Sequence, residues 1–211
     1  MKRMILTSSA GVGLALADRA DVVAPFIYRF VSGPLPSAAH LDRYLGWRES
    51  KFYDEIHWSN FVRRSPFVSD EVRARPLLGV IETCGVDLID LCFDPEPNSQ
   101  LQLSWILDYL RSEPSITENL KLRYVDFDLR RADPAELRHR DVQQFDIAES
   151  DFGIANMAWE AYRGPTPELC AGLLDRPLGK LSFFKPALEA LLAELPSPTR
   201  GWGRARRDFL N

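Results

Sequence analysis

The first residues able to do chemistry lie near the start of the chain, in the stretch Thr7-Ser8-Ser9-Ala10-Gly11-Val12-Gly13. Hydroxyls and small residues between an apolar run and a stretch of helix formers can receive an anion, because helix N-terminal amides carry partial positive charge. Ser8, Ser9 and Gly11 are therefore candidate ligand-binding residues, on the anion of a phosphorylated or nucleotide-like molecule. The stretch departs from a dinucleotide fingerprint. Leu16 stands where a third small residue belongs, and no acid follows at the spacing of about 20 residues that would hold a ribose. There is no G-K-[ST] either, and a plain turn between strand and helix is the other use of the same residues.

A second group is acidic. Asp94 and Glu96, with the amide of Gln100 close behind, follow an apolar run, and Asp126 and Asp128 lie near the end of another. Open α/β sheets place ligands outside the carboxyl ends of their strands, so converging carboxylates there could hold a metal or act as acid and base. The alternative is that Asp94 and Asn98 shape a Pro-rich turn while Asp126 and Asp128 alternate outward on an edge. Asp54 and His57 share a helical face, but nothing nearby completes the three or four ligands a metal needs, and no metal site is expected. His139 stands between Arg138 and Arg140 in a solvated stretch, and three His with no G-x-S-x-G elbow support no nucleophilic triad. At the other end of the chain Arg204, Arg206 and Arg207 follow Trp202, a pattern that neutralises phosphates and stacks on bases. Arg used for solubility explains it as well.

The elements that must position these groups follow from pattern. Met4 to Thr7 reads as a strand, Leu14 to Ala17 as the start of a helix, and Val22 to Val31 as a second extended run in which Pro25 sits at an edge, an end or a break. Helical periodicity covers about Ala38 to Trp58 and again from Ser69, an N-cap, towards Cys84, where Gly85 stops it. Val86 to Phe93 is a compact apolar run of the kind covered on both faces. Ser99 and Gln102 have capping-box spacing and open a helix striped by Leu103, Ile106, Leu107 and Leu110; Ser115 and Glu118 repeat the device. Leu120 to Leu129 is extended with a slip of phase that a bulge would produce. After Arg130 every segment reads as helical, with starts at Asp133-Pro134 and Thr166-Pro167 and stripes at Ala155, Ala158, Trp159 and Tyr162, then at Leu188, Leu191, Leu192 and Leu195. The expected architecture is α/β: a small, mostly parallel sheet with flanking helices over residues 1–130, followed by an α-helical C-terminal region over 131–211.

Composition bounds the function classes. With 211 residues, 45% of them apolar, the chain can bury one substantial core, and no apolar run is long enough to span a membrane. A net charge of −4 removes whole-chain basicity as an argument for nucleic acid. Three isolated Cys make neither a disulfide framework nor a metal knuckle and fit a reducing compartment, so a cytoplasmic location is expected.

Three stretches carry a resemblance: Pro25 through Gly33-Pro34-Leu35, Ser99-Gln100-Leu101-Gln102-Leu103 with its following helix, and Ala158-Trp159-Glu160-Ala161-Tyr162-Arg163-Gly164-Pro165 running on to Leu195-Pro196-Ser197. In these the chain resembles a bacterial family, domain of unknown function 1835, across most of its length. Where that family has an N-G-D-S-like loop, an R-D-x-L-H-E-G-P-like run and an E-H-D-like cluster, this chain has Thr7-Ser8-Ser9-Ala10, Ile27 to Pro34, and Asp94-Pro95-Glu96-Pro97. Only Asp94, Glu96, Gln100 and Gln102 keep acidic or amide character. The resemblance implies a scaffold that has lost part of its chemistry: a non-catalytic regulatory or scaffold protein that binds a protein partner or a small anionic ligand. An enzyme acting on a phosphorylated or nucleotide-like substrate, with Asp94 or Glu96 as base, is the alternative, and nucleic-acid binding through Arg204, Arg206 and Arg207 is a third. The tail resembles the start of a helix that leads onward in longer relatives.

Overall fold

Parallel strands cannot be joined by tight turns, so a parallel sheet forces long crossings between its strands. The computed structural model describes residues 1–8, 16–26, 28–31, 35, 77–117, 121–125, 133 and 144–195. Within them β1 (Arg3–Thr7), β2 (Val22–Pro25), β3 (Leu88–Cys92), β4 (Lys121–Val125) and β5 (Gln144–Asp146) form one sheet in the order β2-β1-β3-β4-β5. The first four are parallel, and β5 runs antiparallel to β4. Six helices accompany them: α1 (Leu77–Cys84), α2 (Pro97–Arg111), α3 (Pro114–Thr117), α4 (Glu149–Arg163), α5 (Glu168–Leu173) and α6 (Phe184–Ala193). This is the α/β class that the alternation of apolar runs and helical stripes implies.

Register decides the faces. Met4, Val22 and Ile89 are level across three strands, as are Leu6, Ala24 and Leu91, and all six are buried in one core with the apolar sides of α1, α2, α4 and α6. Trp105 and Trp159 sit in the same core and meet through Phe30, whose ring lies 4.9 Å from Trp159 edge-on and 6.1 Å from Trp105. The alternate positions Ile5, Val23, Leu88 and Cys92 are buried as well, so the strands are covered on both faces, as apolar parallel strands require. Gly85 ends α1 with φ +59°, and Val86 then donates back to Ile81 O at 3.1 Å, which turns the chain into β3.

Four sequence expectations change. β2 stops at Pro25, its last residue on what is an outer strand among the described residues, where the missing N–H costs no ladder bond to β1, and the chain beyond it leaves the sheet. α2 starts at Pro97, with Glu96 as its N-cap accepting from Ser99 N at 3.4 Å; Ser99 lies inside the first turn because Pro at the first helical position sets the start earlier. Thr166 does not cap α5, whose N-cap is Pro167; its side chain instead hydrogen-bonds the Glu168 carboxylate and lowers that pKa. The region after Arg130 is not wholly helical, because β5 pairs with β4. Three residues are too few to show alternation, and the strand is only half buried. The helix expected over Ala38 to Trp58, the cap at Ser69, the helix start at Asp133-Pro134, the residues Asp54, His57, Asp126, Asp128 and His139, and the tail lie wholly or largely outside the described residues.

Two polar knots hold the frame. Asp151 in the first turn of α4 accepts from Ala148 N at 2.8 Å, and Lys180 Nζ lies 3.7 Å from the same carboxylate while donating to Asp146 O. Gly179, at φ +53°, lets that loop pass where a Cβ would meet Asp151 Oδ1 at 3.0 Å. On the sheet, Arg3 of β1 places Nε and Nη2 on Asp90 Oδ2 of β3, with Asp90 1% and Arg3 30% exposed at the side chain. Removing one partner of a buried pair strands the other, and the more buried one suffers more. Arg3→Met is therefore expected to cost about 3–5 kcal/mol in urea unfolding. Asp90→Asn should cost clearly less, since Arg3 can hydrate; equal losses would contradict this assignment.

Candidate functional site

The strand order reverses at β1. The chain passes from β1 to β2 on one side and returns to place β3 on the other, so the carboxyl ends of β1 and β3 flank the topological switch point of the sheet. Open α/β sheets bind ligands at this point, because the connections there depart in opposite directions and leave a crevice. Thr7, the last residue of β1, is level with Cys92, the last of β3. Ser8 and Asp94 follow within two residues and are thereby brought to one end of adjacent strands.

Thr7 Oγ1 and Ser8 Oγ are buried and have no hydrogen-bond partner among the described residues. Thr7 as a whole is 0% exposed. A buried hydroxyl without a partner forfeits the hydrogen bonds it made to water, so an unfilled pair at the carboxyl end of β1 is a feature to explain. The Thr7 carbonyl, in contrast, is satisfied by Phe26 N at 2.6 Å. Ser9 and Gly11, expected beside Ser8, lie outside the described residues.

Past the end of β3 the polar groups are already engaged. Asp94, 6% exposed, accepts from Glu96 N through Oδ1 at 3.2 Å, and the Gln100 side chain donates to Asp94 O at 2.7 Å. Glu96 caps α2. All three sequence candidates here thus shape the turn from β3 into α2, the role of Asp94 weighed against acid–base chemistry. Among the described residues no group of three or more His, Cys, Asp and Glu could hold a metal. Arg204, Arg206 and Arg207 lie outside the described residues.

The same helix holds a strap. Beyond β2, residues 28–31 cross to α2, where Asn98 Oδ1 accepts from Phe30 N at 2.7 Å and Asn98 Nδ2 donates to Tyr28 O at 3.0 Å. Gln102 donates to Tyr28 O at 2.5 Å, and Tyr162 of α4 donates to Phe30 O at 2.9 Å. Gln102 Oε1 is a third buried atom with no partner among the described residues. Burial pushes the Tyr162 phenol up, so it stays a donor at neutral pH. Asn98 substitutes for a neighbouring strand and binds the strap by its backbone.

Sequence pattern does not single out Asp90 or the strap-holding role of Asn98. The available signals were an acid inside the apolar run Val86 to Phe93 and an Asn closing the Pro-rich stretch Asp94 to Asn98, both shared by many structural positions. Comparison with protein-family models, with curated proteins and with solved structures finds no match to this chain.

Two measurements check this geometry. Asn98→Ala leaves the Phe30 amide unpaired and should cost about 1–3 kcal/mol, with faster hydrogen exchange at Phe30; an unchanged exchange rate would remove the strap assignment. Burial pushes the Cys92 thiol up to about 12, and the Asp90 charge adds to the shift. The unfolded chain loses that proton from about pH 8.5 while the folded one keeps it, so stability falls as pH rises through this window, by up to about 1.4 kcal/mol per unit. Cys92→Ala should flatten the pH dependence of the urea midpoint between about pH 9 and 11, and an unaltered slope would contradict the burial of this thiol.

Proposed function

We propose that this chain is a non-catalytic ligand-binding protein whose ligand seats at the carboxyl ends of β1 and β3. The observation that carries the reading is the pair of buried hydroxyl oxygens on Thr7 and Ser8, without partners among the described residues, at the topological switch point. Of the two occupants suggested by sequence, a protein partner and a small anionic ligand, the position at the switch point favours a small molecule. Buried hydroxyls suit a molecule that enters between the strand ends, whereas a protein interface needs an exposed apolar patch. The engagement of one oxygen of each of Asp94 and Glu96 with a backbone amide supports a turn-shaping role for these carboxylates over an acid–base one.

The regulatory role belongs to the same proposal, as does membership of the bacterial family that the chain resembles. A cytoplasmic location fits the three free, buried thiols Cys84, Cys92 and Cys170. No helix among the described residues is long and apolar enough to cross a membrane.

A thermal-shift screen against nucleosides, sugars and their phosphate esters tests the reading, since a ligand that binds only the folded state raises Tm by mass action. At least one compound is expected to raise Tm, with the shift reduced by half or more in Thr7→Val and in Ser8→Ala. Turnover of a bound phosphate ester would replace this reading with the enzymatic one. Silence across the panel would remove the ligand site.

A further inference from the structure

The C-terminal helices hold a contact that the ligand site does not use. Arg176, on the exposed loop after α5, points its Nη1 at the sulfur of Met157 in α4, at 3.0 Å. We infer that Met157 is an oxidation site whose sulfoxide Arg176 holds in the folded chain.

Met157 is half-buried and packs against the core, while its sulfur stays within reach of the surface. Among the described residues the Arg176 side chain makes no other hydrogen bond or ion pair. A guanidinium carries five donors and a thioether is a weak acceptor, so a charged donor is spent here on a partner that hardly uses it. Oxidation changes the partner. A sulfur lone pair attacks the terminal oxygen of a hydroperoxide, the S–O bond forms as the O–O bond breaks, and the sulfur gives up two electrons to the peroxide. The proton on the transferred oxygen passes to the leaving oxygen, which departs as water or an alcohol. The product is a polar oxygen at the rim of an apolar core, and such a group is costly there unless a donor meets it. Arg176 is that donor, already in place, and its bond to the new oxygen is charge-assisted.

The other two methionines lack this combination. Met4 is 0% exposed in the centre of the sheet, closed to an oxidant, and Met1 is 90% exposed, where water solvates a sulfoxide and no packing is disturbed. Met157 is the thioether at which oxidation is both possible and consequential.

The test treats the full chain with limiting hydrogen peroxide, maps the added oxygen by peptide mass, and compares Tm before and after. It uses the wild type, Met157→Leu, Arg176→Ala and Arg176→Gln. Arg176 is exposed, so both of its variants are expected to fold, and Gln returns one neutral donor. Met157 is expected to gain one oxygen while Met4 gains none. Met157→Leu reports what oxidation of Met1 alone does to Tm, and that change is subtracted. The remaining fall in Tm on oxidation should be about 3–8 °C larger in Arg176→Ala than in the wild type, the scale of one hydrogen bond to a charged group in a chain of this length. Arg176→Gln should lie between them. Met157 oxidised no faster than Met4 overturns the site. An equal fall in the wild type and in both Arg176 variants shows an ordinary surface methionine and overturns the inference as well.

Discussion

The structure depends on one constraint: β1 lies between two parallel neighbours, and a parallel strand so placed must be buried on both sides and reached by crossing connections. From this follow the apolar character of Met4 to Leu6 and of most of Leu88 to Cys92, the helical layer against Met4, Leu6, Ile89 and Leu91, and the reversal of strand order between β1 and β3. The Arg3–Asp90 pair lies across the same two strands. A charge at the centre of a parallel sheet is tolerated because its partner reaches it from the neighbouring strand, and the two ladders therefore hold their register through side chains as well as backbone.

α2 links the sheet to everything beyond it. Its N-cap and first turn close β3 through Glu96 and Gln100, Asn98 in that turn and Gln102 in the next hold the strap, and its apolar side meets α4 and the aromatic cluster around Phe30. The strap is what makes the end of β2 compatible with Pro25. A strand that ends at a proline must find its next hydrogen bonds elsewhere, and here two side-chain amides and the Tyr162 phenol supply them. Rings at Phe26, Phe30, Trp105 and Trp159 then pack beneath it.

Sequence carried the class of fold because its strongest signals are local. Met4 to Thr7 and Val86 to Phe93 are apolar runs bounded by turn residues, and the leucines of α2 recur at the helical period. What it did not carry is set by neighbours distant in the chain. β5 is three residues long and has no period of its own; it is a strand because β4 lies beside it. The start of α2 is decided between two plausible caps by a proline that both share. Ser8 and Asp94 could each be suspected from the chain, but their approach rests on β3 returning to the far side of β1, and strand order leaves no mark on residue spacing. Asp90 is marked only by being acidic, and its meaning comes from Arg3, 87 positions away.

β5 is the outermost strand of the sheet among the described residues, and such a strand offers unpaired backbone groups to any other chain that drifts alongside. Here the strand is short, it ends on the exposed Asp146, and the ammonium of Lys180 is drawn onto the carbonyl of that residue by the carboxylate of Asp151. The knot that caps α4 thus also blunts the margin of the sheet. The carbonyl of the last β5 residue is already taken, so the pair that anchors the start of α4 also leaves one backbone acceptor fewer open at the margin of the described sheet.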